Sequence, residues 1–346
     1  MDLLDEKGLS QADLAERTGR PKKTINEIIK GKAAITPETA LQFERVLGMP
    51  ASYWVSLEQL YRSAMARQEE KERLRDQISW LTNFPVAEMI KRGWIEDRTD
   101  KVELLQELLS FFGVASPDAW NDLWSNGKGA AAFRRQETKG TSHSLLATWL
   151  RQGELFGKHM KCEPFDAPRF KMALNEVREL TGHKEIRVSS EAMRDICAKA
   201  GVAVVFVPEF AKLGVFGATR WLSPDRALIQ LSLHYKRADQ FWFSFFHEAG
   251  HILLHGKREV FVEESKTLGD RSEEEANEFA ADFLIPPHLY CEFVENEDFS
   301  KSSIVAFAKQ LKIAPNIIVG RLQREKKIGF NERHDLVVWL KWAQSP

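Results

Sequence analysis

The sequence predicts an α+β chain with an all-helical N-terminal unit, a mostly helical middle region, and a C-terminal unit that adds a small β-sheet to its helices. Three observations carry this. Residues 1–65 repeat one grammar of polar cap, apolar run and closing glycine. Period-two, β-branched segments occur only after residue 189, where "VAVVFVP", "VFGATRWL" and "ALIQLSL" are separated by turn residues. At 346 residues the chain is longer than one core usually organises, so more than one domain is expected. The divisions read from composition are 1–65, 66–188, 189–297 and 298–346.

Composition excludes several classes. With 43% apolar residues the chain can bury a core, and a net charge of −1 gives no global attraction to nucleic acid or acidic lipid, so any such contact must come from a local patch. Cys162, Cys197 and Cys291 are too few and too scattered for a disulfide framework and are expected as buried free thiols. No run approaches the ~18 apolar residues of a membrane span, and "MDLLDEKGLS" lacks a basic leader, so a soluble, cytoplasmic protein is expected.

In chain order, Ser10 caps a helix that Gly19 ends, Pro21 opens the next and Gly31 closes it, and Thr36 caps a third with Pro37 in its first turn and Gly48 and Pro50 as the stop. The charged tract from 63 to 76 is expected as a solvated helix. Residues 77–180 read as helical, with loop signals at "SPD" and "SNGKG". After the strands come the apolar helix "FWFSFFHEAGHILLHG", a polar loop over 256–270, the helix "SEEEANEFAADFLIPP" stopped by Pro286 and Pro287, and a helical tail. The strand "ALIQLSL", 227–233, is expected at a sheet edge, where an extended peptide could align by β-augmentation.

Three histidines in nine positions of an apolar helix require a reason. His247 and His251, four residues apart, share one helix face, a spacing that suits two nitrogens on one Zn²⁺. Glu248, beside the first histidine, can serve as general base toward a metal-bound water, the H-E-x-x-H arrangement. Two histidines leave a catalytic zinc one ligand short. Helix facing favours Glu273 for that place, with Asn277 one turn on as its hydrogen-bonding partner; Glu274, Glu275, Glu278, Glu263 and Glu264 compete. Ala276 permits close approach of the two helices, and His255 is expected at the helix C-terminus in a supporting role. Arg220, His234 and Tyr235 are the candidates for stabilising an oxyanion.

At the other end, Ala15, Gly19, Ile25 and Ile28 follow helix-turn-helix spacing, with a small residue where the helices meet and a glycine in the turn. Six basic residues between 17 and 32 face one acid, Glu27, supplying the local patch. The recognition helix is expected from about Pro21 to Lys30, with Lys22, Lys23 and Asn26 toward base edges and Gln11 and Thr24 near phosphates, read as a homodimer on an operator in double-stranded DNA. Ala308, Lys312 and Ile318 repeat the same 4-then-6 spacing, and are expected to form a helical pair that packs on the zinc domain.

Residues 9–61 resemble the Xre/HigA-type helix-turn-helix of repressors and addiction-module antidotes, and residues 189–325, through "FFHEAGHILLHG" and "EEEANEFAADFLIPP", resemble the ImmA/IrrE metallo-endopeptidases. That resemblance implies a gluzincin-like fold, Zn²⁺ held by His247, His251 and Glu273, Glu248 as base, and cleavage of a partner Xre-type repressor or antitoxin in a stress, toxin–antitoxin or mobile-element response. Here both parts lie on one chain, so the chain itself joins the possible substrates. The alternative is a DNA-binding antitoxin or autorepressor whose C-terminal domain is a protein-binding scaffold, against which an intact Glu248 argues.

Overall fold

The computed structural model describes residues 2–125, 143–182, 186–211, 213–233, 236–256, 261–264 and 271–341. The expected loop at 126–129, and His234 and Tyr235, lie outside the described residues. The chain forms two compact units, 1–79 with 99–105 and 80–98 with 106–346.

In the first unit the helices are α1 (Asp2–Glu6), α2 (Gln11–Thr18), α3 (Lys22–Ile29), α4 (Pro37–Leu47) and α5 (Ala51–Arg75). Ser10 accepts from the Asp13 amide while Asp13 reaches back to the Ser10 N–H, a complete capping box. Gly19 ends α2 at φ 66°, a left-handed turn that an L side chain adopts at a cost. Thr36 caps α4 through the Thr39 amide, and Pro37 occupies the first turn. Leu4, Leu14, Ala15, Ile25, Ala40, Phe43, Leu47 and Trp54 make the core. The charged tract is the second half of α5, exposed over 61–69 as expected for a solvated helix.

The second unit continues through a 3₁₀ segment (Ile78–Asn83), α6 (Val86–Lys91), α7 (Lys101–Phe112, shared with the first unit), α8 (Pro117–Ser125), α9 (His143–His159), α10 (Ala167–Leu180) and α11 (Ile186–Ala198). The "SPD" signal begins a helix: Ser116 Oγ accepts from the Ala119 amide at the start of α8. Then come β1 (Val202–Phe206), β2 (Val215–Ser223), β3 (Arg226–Leu231), α12 (Ala238–Leu254), β4 (Phe261–Glu264), α13 (Arg271–Leu284), α14 (Pro287–Glu295), α15 (Lys301–Leu311) and α16 (Pro315–Arg324).

The sheet order is β1-β3-β2-β4, with β1 parallel to β3 and the other pairs antiparallel. This corrects two expectations. The strand over 227–233 is internal, its Ile229 pairing with Val204 on one side and Thr219 on the other. That position suits its composition, because a strand apolar on both faces needs cover on both. The edges among the described strands are β1 and β4, the latter within the stretch expected to be a polar loop; its four residues are too few for period-two patterning to show.

Helices cover both sheet faces. Gln230 donates to the Trp149 carbonyl of α9 on one face, and Ile229 and Leu231 join Phe241, Phe245 and Phe246 of α12 in the core on the other. The cysteines are free thiols as expected, but only Cys197 is buried; Cys162 is half-buried and Cys291 exposed. No helix among the described residues is long and apolar enough to cross a membrane.

Candidate metal centre and nucleic-acid interface

α12 buries Phe241, Trp242, Phe245, Phe246, Ala249 and Ile252, which accounts for its apolar character. On α13, Ala276 and Ala280 are fully buried, and the two helices approach closely where both lack bulk. A β-carbon at Gly250 would sit 3.3 Å from Ala276 Cα and 3.1 Å from Phe279 Cδ1, tighter than ordinary packing.

This approach brings three donors together. His247 Nε2 lies 3.0 Å from His251 Nε2 and 3.2 Å from Glu273 Oε2, and His251 Nε2 lies 3.6 Å from Glu273 Oε1. One donor atom from each residue falls within 4.8 Å of the others, and all three residues are buried. Burial disfavours the His251 cation, and the adjacent His247 adds to this, leaving His251 at about 4 despite Glu273. Burial pushes Glu273 up, but the adjacent imidazoles of His247 and His251 outweigh it and hold the carboxyl at about 2. At neutral pH His251 is therefore a neutral imidazole and Glu273 a carboxylate, the protonation states that metal ligation requires of them. Glu273 Oε1 is buried without a hydrogen-bond partner, a costly arrangement that a cation would relieve. The donor set fits Zn²⁺ by type, number and convergence.

Glu248 is fully buried beside the cluster, against β2: a β-carbon at Gly217 would fall 2.7 Å from its Oε1, and Thr219 Oγ1 donates to its backbone carbonyl at 3.1 Å. Residues 217 and 219 share the face toward α12. Arg220, one residue on, must face the other way and pairs with Glu154 of α9 at 2.5 Å, alongside Arg151 and Lys158. Arg220, one of three candidates for stabilising an oxyanion, is thus committed to an internal ion-pair network on the opposite sheet face, away from the metal donors.

Asn277 accepts from Arg324 at 3.4 Å; the structure joins it to that guanidinium, not to Glu273. Glu275, a competitor for the ligand position, accepts from Arg271 and lies 3.2 Å from His255 Nε2. Phe261 of β4 stacks on the His251 ring, centroids 4.0 Å apart and planes 15° apart. Sequence reasoning missed Gly217 and Phe261; a glycine inside a β-rich run is the one signal that marked the former as a close-approach site.

In the first unit, Ile25 is fully buried and anchors α3, and Ile28 packs against the same core. Lys22 and Lys23 project from the exposed N-terminal turn of α3, while Thr24 and Asn26 are partly exposed on that helix. Lys23 makes only a long surface pair with Glu27, 3.9 Å. Gln11 is the first residue of α2 and half-buried. Arg20, counted in the basic patch, donates to Gln42 at 2.6 Å and braces α4.

The spacing repeated at 308–318 is also a repeated shape. α15 ends at Lys312, φ 57°, where α2 ends at Gly19, and α16 follows as α3 does. Ile317, Ile318, Val319 and Leu322 of α16 lie in the main core, so this helix packs inward and offers little surface to a duplex.

Two protein-family models match the chain. One, helix-turn-helix, covers residues 1–54; the other, the M78 peptidase family described as an IrrE N-terminal-like domain, covers residues 197–321. No curated protein matches the chain.

Proposed function

For a chain that joins an Xre-type helix-turn-helix DNA-binding domain to an IrrE/ImmA-like peptidase domain, we propose a transcriptional regulator with a zinc-dependent endopeptidase. Its substrate is a partner Xre-type repressor or antitoxin, or the chain itself, cleaved in a stress, toxin–antitoxin or mobile-element response in the cytoplasm. The observation that carries the reading is the convergence of buried His247, His251 and Glu273 beside Glu248.

In this reading His247, His251 and Glu273 hold Zn²⁺. When bound, zinc would supply Lewis-acid polarisation of the scissile carbonyl and a water whose pKa is lowered toward ~7. Glu248 takes the proton of the attacking water and delivers it to the leaving amine nitrogen. Gly217 leaves the space in which its carboxylate sits. The sheet edge beside the donors is β4, whose Phe261 touches His251; an extended peptide aligning there would add a strand. Asn277 accepts from Arg324, so its part is to join α13 to α16.

At the other end, α3 enters the major groove with Lys22, Lys23 and Asn26 toward base edges, and Gln11 and Thr24 approach phosphates. The operator is read by a homodimer. α5 leaves Tyr53, Leu57 and Leu60 exposed at i, i+4, i+7 spacing, a stripe suited to a second copy of the same helix.

The test is zinc content of the purified chain beside His247→Ala and Glu273→Ala. About one zinc per chain, lost in both variants, supports the centre; a wild type that takes up none after reconstitution sinks the peptidase reading. Glu248→Gln separates the activities: it should retain zinc and operator binding and lose hydrolysis.

A further inference from the structure

His255 continues the stripe of His247 and His251 by one more turn, yet it is not a member of the three-donor cluster. His251 is engaged at both ring nitrogens. Its Nε2 faces His247 and Glu273, and its Nδ1 lies 3.0 Å from His255 Nδ1. His255 Nε2 in turn lies 3.2 Å from Glu275 Oε2, and Glu275 Oε1 accepts from Arg271 Nε at 2.7 Å.

Two imidazole nitrogens 3.0 Å apart can share one proton only if one donates and the other accepts. Between two neutral imidazoles two arrangements are possible. In one, His255 Nδ1–H donates to His251. The His251 proton then sits on Nε2, among the donors, and the bare His255 Nε2 faces the Glu275 carboxylate, lone pair against lone pair. In the other, His251 Nδ1–H donates to His255 Nδ1, and His255 Nε2–H donates to Glu275. Every contact is then donor to acceptor, and His251 Nε2 presents its lone pair to the cluster.

We propose that His255, backed by Glu275, is a positioning residue that fixes the tautomer and orientation of His251 so that its Nε2 is available to a divalent cation. This rests on the metal-centre reading. Phe261, stacked on the His251 ring, holds its plane, while the His255 bond sets its rotation within that plane. Partners of this kind characteristically raise ligand basicity and restrict ring motion. Arg271 is exposed, so the outer end of the chain contributes little and His255 carries most of the effect.

The experiment is zinc affinity by chelator competition, with the visible absorption of the Co²⁺-substituted chain, for full-length wild type, His255→Leu, His255→Asn and Glu275→Gln. Each is checked for folding by circular dichroism. His255→Leu removes the acceptor and should weaken zinc binding about 10- to 100-fold and shift the Co²⁺ bands. His255→Asn restores an acceptor oxygen and should recover much of the loss, which a purely packing role would not do; Glu275→Gln should lie between wild type and His255→Leu. Wild-type affinity in a folded His255→Leu overturns this inference alone, as does an Asn variant no better than Leu. A wild type that binds neither metal overturns the centre and this inference with it.

Discussion

Gly217 of β2 and Glu248 of α12 are in direct register: a β-carbon added at Gly217 would meet Glu248 Oε1 at 2.7 Å, Cγ at 2.8 Å and Cδ at 3.1 Å. The contact runs along the side chain rather than only its tip, so no small rotation relieves it. Gly217→Ala is therefore expected to displace the Glu248 carboxylate while leaving His247, His251 and Glu273 in place. Hydrolysis of a substrate should fall by about 10²- to 10⁴-fold, the worth of a positioned general base, with zinc content unchanged. Loss of zinc in this variant would show that the strand supports the ligands rather than the base.

The DNA face gives a separable prediction. Asn26→Ala, if Asn26 reads a base edge, should cost about 1–3 kcal/mol at one operator position and relax its sequence preference. Lys22→Ala should weaken binding across sequences alike and lower the salt slope by about 1. Titrations of operator and scrambled duplex at several salt concentrations distinguish the two. Arg20→Ala should instead act on the fold of the first unit, because its guanidinium is occupied by Gln42.

Exposed Tyr53, Leu57 and Leu60 on α5 bear on assembly. Leu57→Lys with Leu60→Lys should convert a dimer to a monomer in sedimentation equilibrium and reduce operator affinity without altering helix content. A wild type that is monomeric at the concentrations of operator binding removes the dimer from the reading.

The ion-pair network of Glu154 predicts a pH-dependent stability. Burial raises the Glu154 carboxyl, but Arg220, Lys158 and Arg151 overcome this and hold it at about 2, below its ordinary 4.5. Above 4.5 the carboxylate is charged whether folded or unfolded, and the network stabilises in full. As pH falls from 4.5 toward 2 the unfolded chain takes up the proton first, so this stabilisation drains away. Glu154→Gln, which strands buried Arg220, should cost about 3 kcal/mol at pH 7. In denaturant melts the gap between wild type and variant should narrow at pH 3.5; a gap independent of pH would place the stabilisation elsewhere.

Much of the site was legible because helical spacing is a short-range rule. His247 and His251 four apart, with Glu248 between them, are bound to share one turn of a helix once the Phe and Leu residues around them drive helix burial. The caps at Ser10, Thr36 and Gly19 were legible for the same reason, since a cap concerns the backbone three or four residues away. Glu273 could be favoured over its neighbours by facing alone, because Ala276 and Ala280 mark the buried stripe of its own helix.

Strand order was not legible. Whether 227–233 lies inside or at the edge depends on where β1 and β4 pair, contacts that join residues 25 or more positions apart and leave no local signature. The side of the sheet that Arg220 faces follows from the same placement, and so does its commitment to Glu154 on a distant helix. Asn277 shows the limit in the other direction: one turn from Glu273, it instead accepts from Arg324, which only the packing of α16 brings near. The sequence by itself determined the helices, their caps and the residue types gathered on each face, because those obey rules reaching three or four residues. The tertiary structure alone decided the order of the strands, which strand lies beside the histidines and which partner each charge takes, because those depend on how distant elements pack.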